Sequence, residues 1–191
     1  MGKIVCFFSE TMADFEITLL FHKINTASNY EIITVGYDTN PLVSESGLTY
    51  LPDQPISQLL DATDIDALII PGGPICPQKE ELTQLIQKLD REKKLLAAIC
   101  NGPQYLGRAG ILNHHPFTTS NAQEKIKKLD IPDPFPWENY VNKRVVQDQH
   151  IITAKGRAFV DFTFAVFDYL GIYANKEMEQ KRLYADIMDR S

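Results

Sequence analysis

Short apolar runs alternate with longer amphipathic stretches along most of this chain. Ile4 to Phe8, Glu31 to Val35, Ala67 to Ile70 and Lys94 to Ile99 carry few polar positions, as buried strands of a parallel sheet do. Between them the period widens to that of helices. Asp14 can cap a helix of about a dozen residues running through Phe15 to Phe21. Glu80 to Arg91 reads as a surface helix and Gly102 to Ala109 as a helix ended near Gly110. Ala122 to Leu129 is lysine-rich, Ala158 to Leu170 has a broad apolar face, and Lys176 to Met188 is a last helix. Pro41 to Leu51, with Gly47 inside it, reads as a small hairpin or irregular excursion, and Ile56 to Leu60 as a short helix. Pro116 to Ser120 predicts a short strand; Val141 to Val146 and Ile151 to Ala154 pair around Asp148-Gln149. The intervening Ile131 to Trp137 is a proline-rich loop, in which Trp137 and Tyr140 pack a loop, a dimer contact or the roof of a pocket. The alternation predicts an α/β fold: a three-layer, flavodoxin-like sandwich, its mostly parallel sheet covered by helices on both faces. No linker interrupts the pattern, so residues 1–191 read as one domain.

Composition narrows the partners. A net charge of −6 without a basic block argues against nucleic acid or an anionic membrane. Three cysteines without framework spacing suit a reducing, cytoplasmic setting. Ile4 to Phe8 behind Met1-Gly2-Lys3 is too short for a signal core, Cys6 stands where a myristoylation signal wants Ser or Thr, and no run approaches the ~18 apolar residues of a membrane span.

The chemistry concentrates at Leu95 to Pro103. A strand stops at Cys100, and Pro103 stands where a helix's first turn tolerates it, which is the strand–nucleophile–helix arrangement of a nucleophile elbow. A thiol at a helix N-terminus ionises more easily than a free one, so Cys100 is a candidate reactive cysteine; the other reading is a small buried apolar residue. In such sheets ligands bind beyond the carboxyl ends of the strands. There the chain places Gly72 and Gly73, Cys100, Ser120 and Gly156, with Glu16 in the first turn of its helix. The N–H groups of Gly72, Gly73 and Asn101 can form an oxyanion hole, the plain alternative being a tight turn. Ser120 and Gly156 are candidate substrate-binding positions.

Ala97 to Leu106 with Ala109 to Leu112 resembles the elbow of the PfpI family. That family lies in the class I glutamine amidotransferase-like superfamily, which also holds the parkinsonism-associated protein deglycase. Ile69 to Gly73, Asp14 to Glu16 and Ile151 to Gly156 extend the resemblance over nearly the whole chain. It implies an oxidisable thiol at Cys100, a contacting carboxyl at Glu16, backbone donors in the diglycine loop and a homodimer. Activities assigned in the family include glyoxalase or deglycase, peptidase, hydratase, chaperone and redox sensor.

Two positions depart from relatives that carry a histidine beside the cysteine or after the next strand: here stand Asn101 and Thr118-Thr119-Ser120. His114 and His115 precede their strand, on the order of 15 Å from the Cys100 edge at ~3.3 Å per residue, and read as surface residues rather than metal ligands. His150 also starts its strand, and His22 lies nearly two turns beyond Glu16. Glu16 is therefore the candidate proton handler, its pKa raised beside a thiolate. Cys76 is a loop thiol or a resolving partner for oxidised Cys100, and Cys6 belongs to the core.

Two functions are consistent with these residues. One is a cysteine-dependent enzyme, a hydrolase or lyase acting on a small carbonyl or amide compound in a glyoxalase/deglycase-like or amidase/peptidase-like reaction. It would use Cys100 and Glu16 and need no cofactor or metal. The other is a non-enzymatic redox sensor or stress-response protein, whose partner is an oxidant that takes Cys100 to sulfenic or sulfinic acid.

Overall fold

The computed structural model describes residues 2–189; Met1 and residues 190–191, the ends of the predicted domain, lie outside them. In chain order the elements are β1 (Lys3–Phe7), α1 (Phe15–Ala27), β2 (Glu31–Gly36), β3 (Leu42–Val43), β4 (Thr49–Tyr50), β5 (Gln54–Pro55), β6 (Ile65–Ile70), α2 (Glu80–Arg91), β7 (Leu95–Ile99), α3 (Pro103–Arg108), α4 (Gln123–Lys127), β8 (Val145–Asp148), β9 (Ile151–Ala154), α5 (Phe159–Leu170) and α6 (Glu177–Met188). A seven-stranded sheet runs β5-β2-β1-β6-β7-β9-β8, parallel except for the edge strand β8, which pairs antiparallel with β9.

Strand alternation divides the apolar side chains between two cores. Val5, Phe7, Leu96 and Ala98 point to one face, where α2 presents Leu82, Leu85, Ile86 and Leu89. Ile4, Cys6, Ala97 and Ile99 point to the other, against Ile17, Leu20 and Ile24 of α1 and Phe162, Val166 and Phe167 of α5. Each such leucine or isoleucine withdrawn from water contributes about 1.5–3 kcal/mol. The α2 stripe repeats at three and four residues, and Glu80 and Glu81 in its first turn with Lys88 and Arg91 in its last complement its dipole. This is the predicted three-layer, flavodoxin-like α/β fold.

Four expectations need correction. Pro116 to Ser120 does not enter the sheet, because β9 holds the place beside β7; only Phe117 forms an isolated bridge, to Tyr140. The segment's polar groups go elsewhere: the Thr118 N–H donates to Thr153 Oγ1 at 2.9 Å and the Thr118 hydroxyl to the Lys143 carbonyl at 2.9 Å. Asp14 precedes α1 without a side-chain cap; its carboxylate accepts from the Ser46 hydroxyl at 2.7 Å and the Tyr50 hydroxyl at 2.9 Å. Those bonds pin the β3–β4 hairpin, formed within Pro41 to Leu51, to the start of α1. His115 is buried rather than at the surface, its Nδ1 2.6 Å from Asp148, and buried His150 sits 2.7 Å from Asp90. Finally, the helix over Ala122 to Leu129 shortens to Gln123–Lys127. Trp137 packs against Phe117, Phe135 and Tyr140. No helix among the described residues is long and apolar enough to cross a membrane.

Candidate functional site

Register brings the strand ends level. Ile70 of β6 lies opposite Ala98 of β7, which lies opposite Thr153 of β9. The chain two or three residues further on, Gly72, Cys100 and Gly156, therefore meets at one edge. Glu16, in the first turn of α1, drops into the same place and is buried.

Cys100 has φ +61, a left-handed conformation that costs a non-glycine residue about 1–2 kcal/mol. Its surroundings enforce it. The Cys100 N–H donates to the Ala154 carbonyl at 2.8 Å. The Cys100 carbonyl accepts from the Thr119 hydroxyl at 2.6 Å and the Ser120 N–H at 3.0 Å. The next residue but one must be glycine, since a Cβ on Gly102 would stand 2.5 Å from the Ile70 carbonyl oxygen. The elbow is thus present, strained and tied to β9 and to the threonine segment.

Glu16 and Cys100 are hydrogen-bonded partners held between two glycines. The Gly72 N–H donates to Glu16 Oε2 at 2.7 Å, and a Cβ on Gly72 would lie 2.6 Å from that oxygen and 3.0 Å from Cys100 Sγ. A Cβ on Gly156 would lie 2.5 Å from Glu16 Oε1 and 3.0 Å from Sγ. Both glycines are needed because no larger residue leaves room for the pair.

The electrostatics follow from burial. Burial pushes the Glu16 carboxyl up to about 7, against the Gly72 N–H and the Cys100 thiol, which favour its ionised form. The Cys100 thiol is pushed up to about 11, first by burial and then by the negative charge of Glu16; Ser120 and the Asn101 N–H pull the other way. This corrects the expectation of an easily ionised cysteine. The following helix has only six residues, and its N-terminus does not outweigh burial beside a carboxylate. The expectation of a raised Glu16 matches what the pair shows.

The candidate oxyanion hole is rearranged. Gly72 spends its N–H on Glu16. Gly73, at φ +147, has an N–H without a partner among the described residues, while its carbonyl accepts from Asn101 Nδ2 at 2.7 Å. Asn121 Nδ2 in turn holds Asn101 Oδ1 at 2.9 Å. Ser120 Oγ accepts the Gly156 N–H at 2.8 Å, which frees its own proton for the sulfur. Ser120 and Gly156 therefore support the thiol rather than line the opening.

That opening is a cleft of about 380 Å³ lined by Thr11, Glu45, Gly73, Pro74, Cys100 and Asn101. Thr11 and Glu45 are additions that sequence reasoning missed; both lie on segments read as loop or irregular hairpin. A larger cleft of about 540 Å³ lies between α5 and α6, but holds no nucleophile and no buried titratable pair. Cys76 lines two other clefts, beside Arg108 and beside Tyr105, and Cys6 is fully buried. The buried histidines are engaged with Asp148 and Asp90 beside the starts of β9 and β7, so none serves Cys100.

Known proteins share this sequence and this fold. Residues 2–168 match the family described as DJ-1/PfpI. The uncharacterized protease YdeA of Bacillus subtilis is 25% identical over 182 residues, covering 94% of this chain and 89% of that one. The deglycase TK1284 of Thermococcus kodakarensis is 26% identical over 113 residues, 58% of this chain and 67% of its own. Among solved structures, the DJ-1 superfamily protein Atu0886 of Agrobacterium tumefaciens superposes with a TM-score of 0.82 at 28% identity, over 99% of this chain and 100% of that one.

Proposed function

The chain belongs to the DJ-1/PfpI family, and we propose that within it this protein is a cysteine-dependent enzyme acting on a small carbonyl or amide compound. Cys100 Sγ attacks the electrophilic carbon as its proton passes to Glu16. The negative charge that develops on the substrate oxygen is met by the unpartnered Gly73 N–H. Glu16 then returns the proton to the leaving group or to the adduct. The observation that carries this reading is the buried thiol–carboxyl contact at the floor of a cleft open to small molecules. A carboxyl group near 7 exchanges protons at neutral pH, which is what a general acid–base needs. The attacking species in this scheme is a thiol deprotonated during attack, not a standing thiolate. Relatives named as a protease and a deglycase support the carbonyl or amide class.

The redox-sensor reading has less support, because oxidation by peroxide proceeds through the thiolate and both burial and Glu16 oppose that state. The homodimer belongs to the proposal as well: Phe15, Val43, Leu48 and Leu51 are exposed on the start of α1 and the hairpin region. A reducing, cytoplasmic setting fits three free cysteines.

The test is turnover of methylglyoxal and of small amides by wild type and Cys100→Ser, side by side with a peroxide titration read by intact mass. Loss of turnover in the variant is expected. Full retention on every substrate sinks the enzymatic reading, and selective oxygen addition at Cys100 without any turnover favours the sensor.

A further inference from the structure

The charged side chain lining the Cys100 cleft is a carboxylate, Glu45. It does not ride on a free arm. Its N–H donates to the Met12 carbonyl at 2.8 Å, and the hairpin on either side is fastened to Asp14 through Ser46 and Tyr50. The remaining lining residues, Thr11, Gly73, Pro74, Cys100 and Asn101, bring no side-chain cation. Beneath them lies a second carboxyl, Glu16, and the charge on Glu45 reaches it, favouring its protonated form. A molecule approaching the sulfur therefore crosses a field of one sign.

We propose that Glu45 is a specificity-determining residue: it selects small carbonyl or amide compounds that bear a cationic group, an ammonium or guanidinium, over neutral ones, and turns away carboxylate-bearing ones. The inference rests on Cys100 being the attacking group. A unit charge several ångströms from a ligand charge in a partly hydrated cleft changes occupancy by about tenfold in either direction.

The experiment reads the field at the sulfur without turnover. In a Cys76→Ser background, Cys100 is labelled with aminoethyl methanethiosulfonate, a cation, and sulfonatoethyl methanethiosulfonate, an anion. Each reaction forms a mixed disulfide, releases methanesulfinate and gives the thiol proton to solvent. Rates are normalised to those with mercaptoethanol. The cation should label at least about tenfold faster than the anion. Glu45→Gln should shrink that ratio about tenfold, Glu45→Lys should reverse it, and salt should compress it in the wild type. Any change in thiol reactivity that Glu45→Gln brings through Glu16 affects both reagents alike and cancels in the ratio. A ratio near one in the wild type, or one that Glu45→Gln leaves unchanged, overturns the proposal. Labelling needs only a reachable sulfur, so retained turnover in Cys100→Ser would sink the enzymatic reading and leave this ratio untouched. A flat ratio beside normal loss of turnover would sink charge selection alone.

Discussion

Glu16 Oε2 accepts the Gly72 N–H at 2.7 Å, so a single bond ties the first helix to the loop after β6 beneath the Cys100 sulfur. Gly72 cannot then serve an oxyanion, and Glu16 cannot turn away from the thiol. Replacing Glu16 with Gln keeps an acceptor for that N–H while deleting the proton acceptor and the charge. The expected result is a fall in kcat/KM of about a hundredfold or more, the scale of general acid–base catalysis. The thiol should at the same time titrate lower, because the Glu16 charge is one of the causes holding it up. Turnover and thiolate absorbance against pH measure the two effects.

The pH dependence of activity has a defined direction. In the proposed scheme Glu16 accepts the thiol proton, so its ionised form is required, and kcat/KM should rise with pH through about 7. The same limb should be absent from Glu16→Gln. A wild-type profile flat across that range would argue against Glu16 as the proton acceptor.

Stability should run the other way. The Glu16 carboxyl goes from 4.5 to about 7 on folding, so the native state binds its proton more tightly than the unfolded chain. Its contribution is fully present below about 4.5 and is lost as pH rises to about 7, beyond which the ionised carboxyl is a standing cost. Relative to wild type, Glu16→Gln should therefore gain on the order of 2 kcal/mol at pH 8 compared with pH 5. Denaturant unfolding at the two pH values measures it.

Two glycines separate crowding from backbone strain. Gly72→Ala would put a Cβ 2.6 Å from both Glu16 Oε2 and Cys100 Cβ. It should cost about 1–3 kcal/mol and remove activity, since the pair must move apart. Gly47, at φ +78, has nothing within 4 Å of an added Cβ. Gly47→Ala should cost about 1 kcal/mol from the conformation alone. Unfolding midpoints and turnover of the two variants distinguish the causes.

Asp14→Ala should loosen the hairpin. Burial raises the Asp14 carboxyl, but the Ser46 and Tyr50 hydroxyls more than offset it and hold the group below the usual 3.8. Losing both bonds should cost about 1–3 kcal/mol. The wild-type share of that stability is present above 3.8 and is lost as pH falls through the lower native value. Faster hydrogen exchange at the Glu45 N–H, which bonds to Met12, would report the release.

Much of the fold is legible in the sequence because parallel strands are buried on both faces and write themselves as apolar runs. β6 and β7 stand out for that reason, and the residues just past their ends, Gly72-Gly73 and Cys100, mark the site edge. Glu16 is legible as a first-turn carboxyl behind β1. The ionisation of Cys100 is not, because burial is a property of the packed chain and a helix start alone suggests the opposite sign. Glu45 is hidden for another reason. Its position depends on Asp14 meeting Ser46 and Tyr50 across more than thirty residues of chain, a contact no local pattern announces. Pro116 to Ser120 reads as a strand by composition, but the sheet has no free place for it beside β7.

β9 closes the site from the far end of the sequence. Cys100 donates its N–H to Ala154, and Gly156 is the wall on the other side of the sulfur. A chain emerging from the ribosome therefore exposes a complete elbow well before the residues that shield it exist. Until the β7–β9 pairing forms, Cys100 is an ordinary solvent-facing thiol on a sheet edge, with an ordinary acidity. Newly made protein is thus the form most open to oxidants and alkylating metabolites, and its vulnerability ends with the insertion of one late strand.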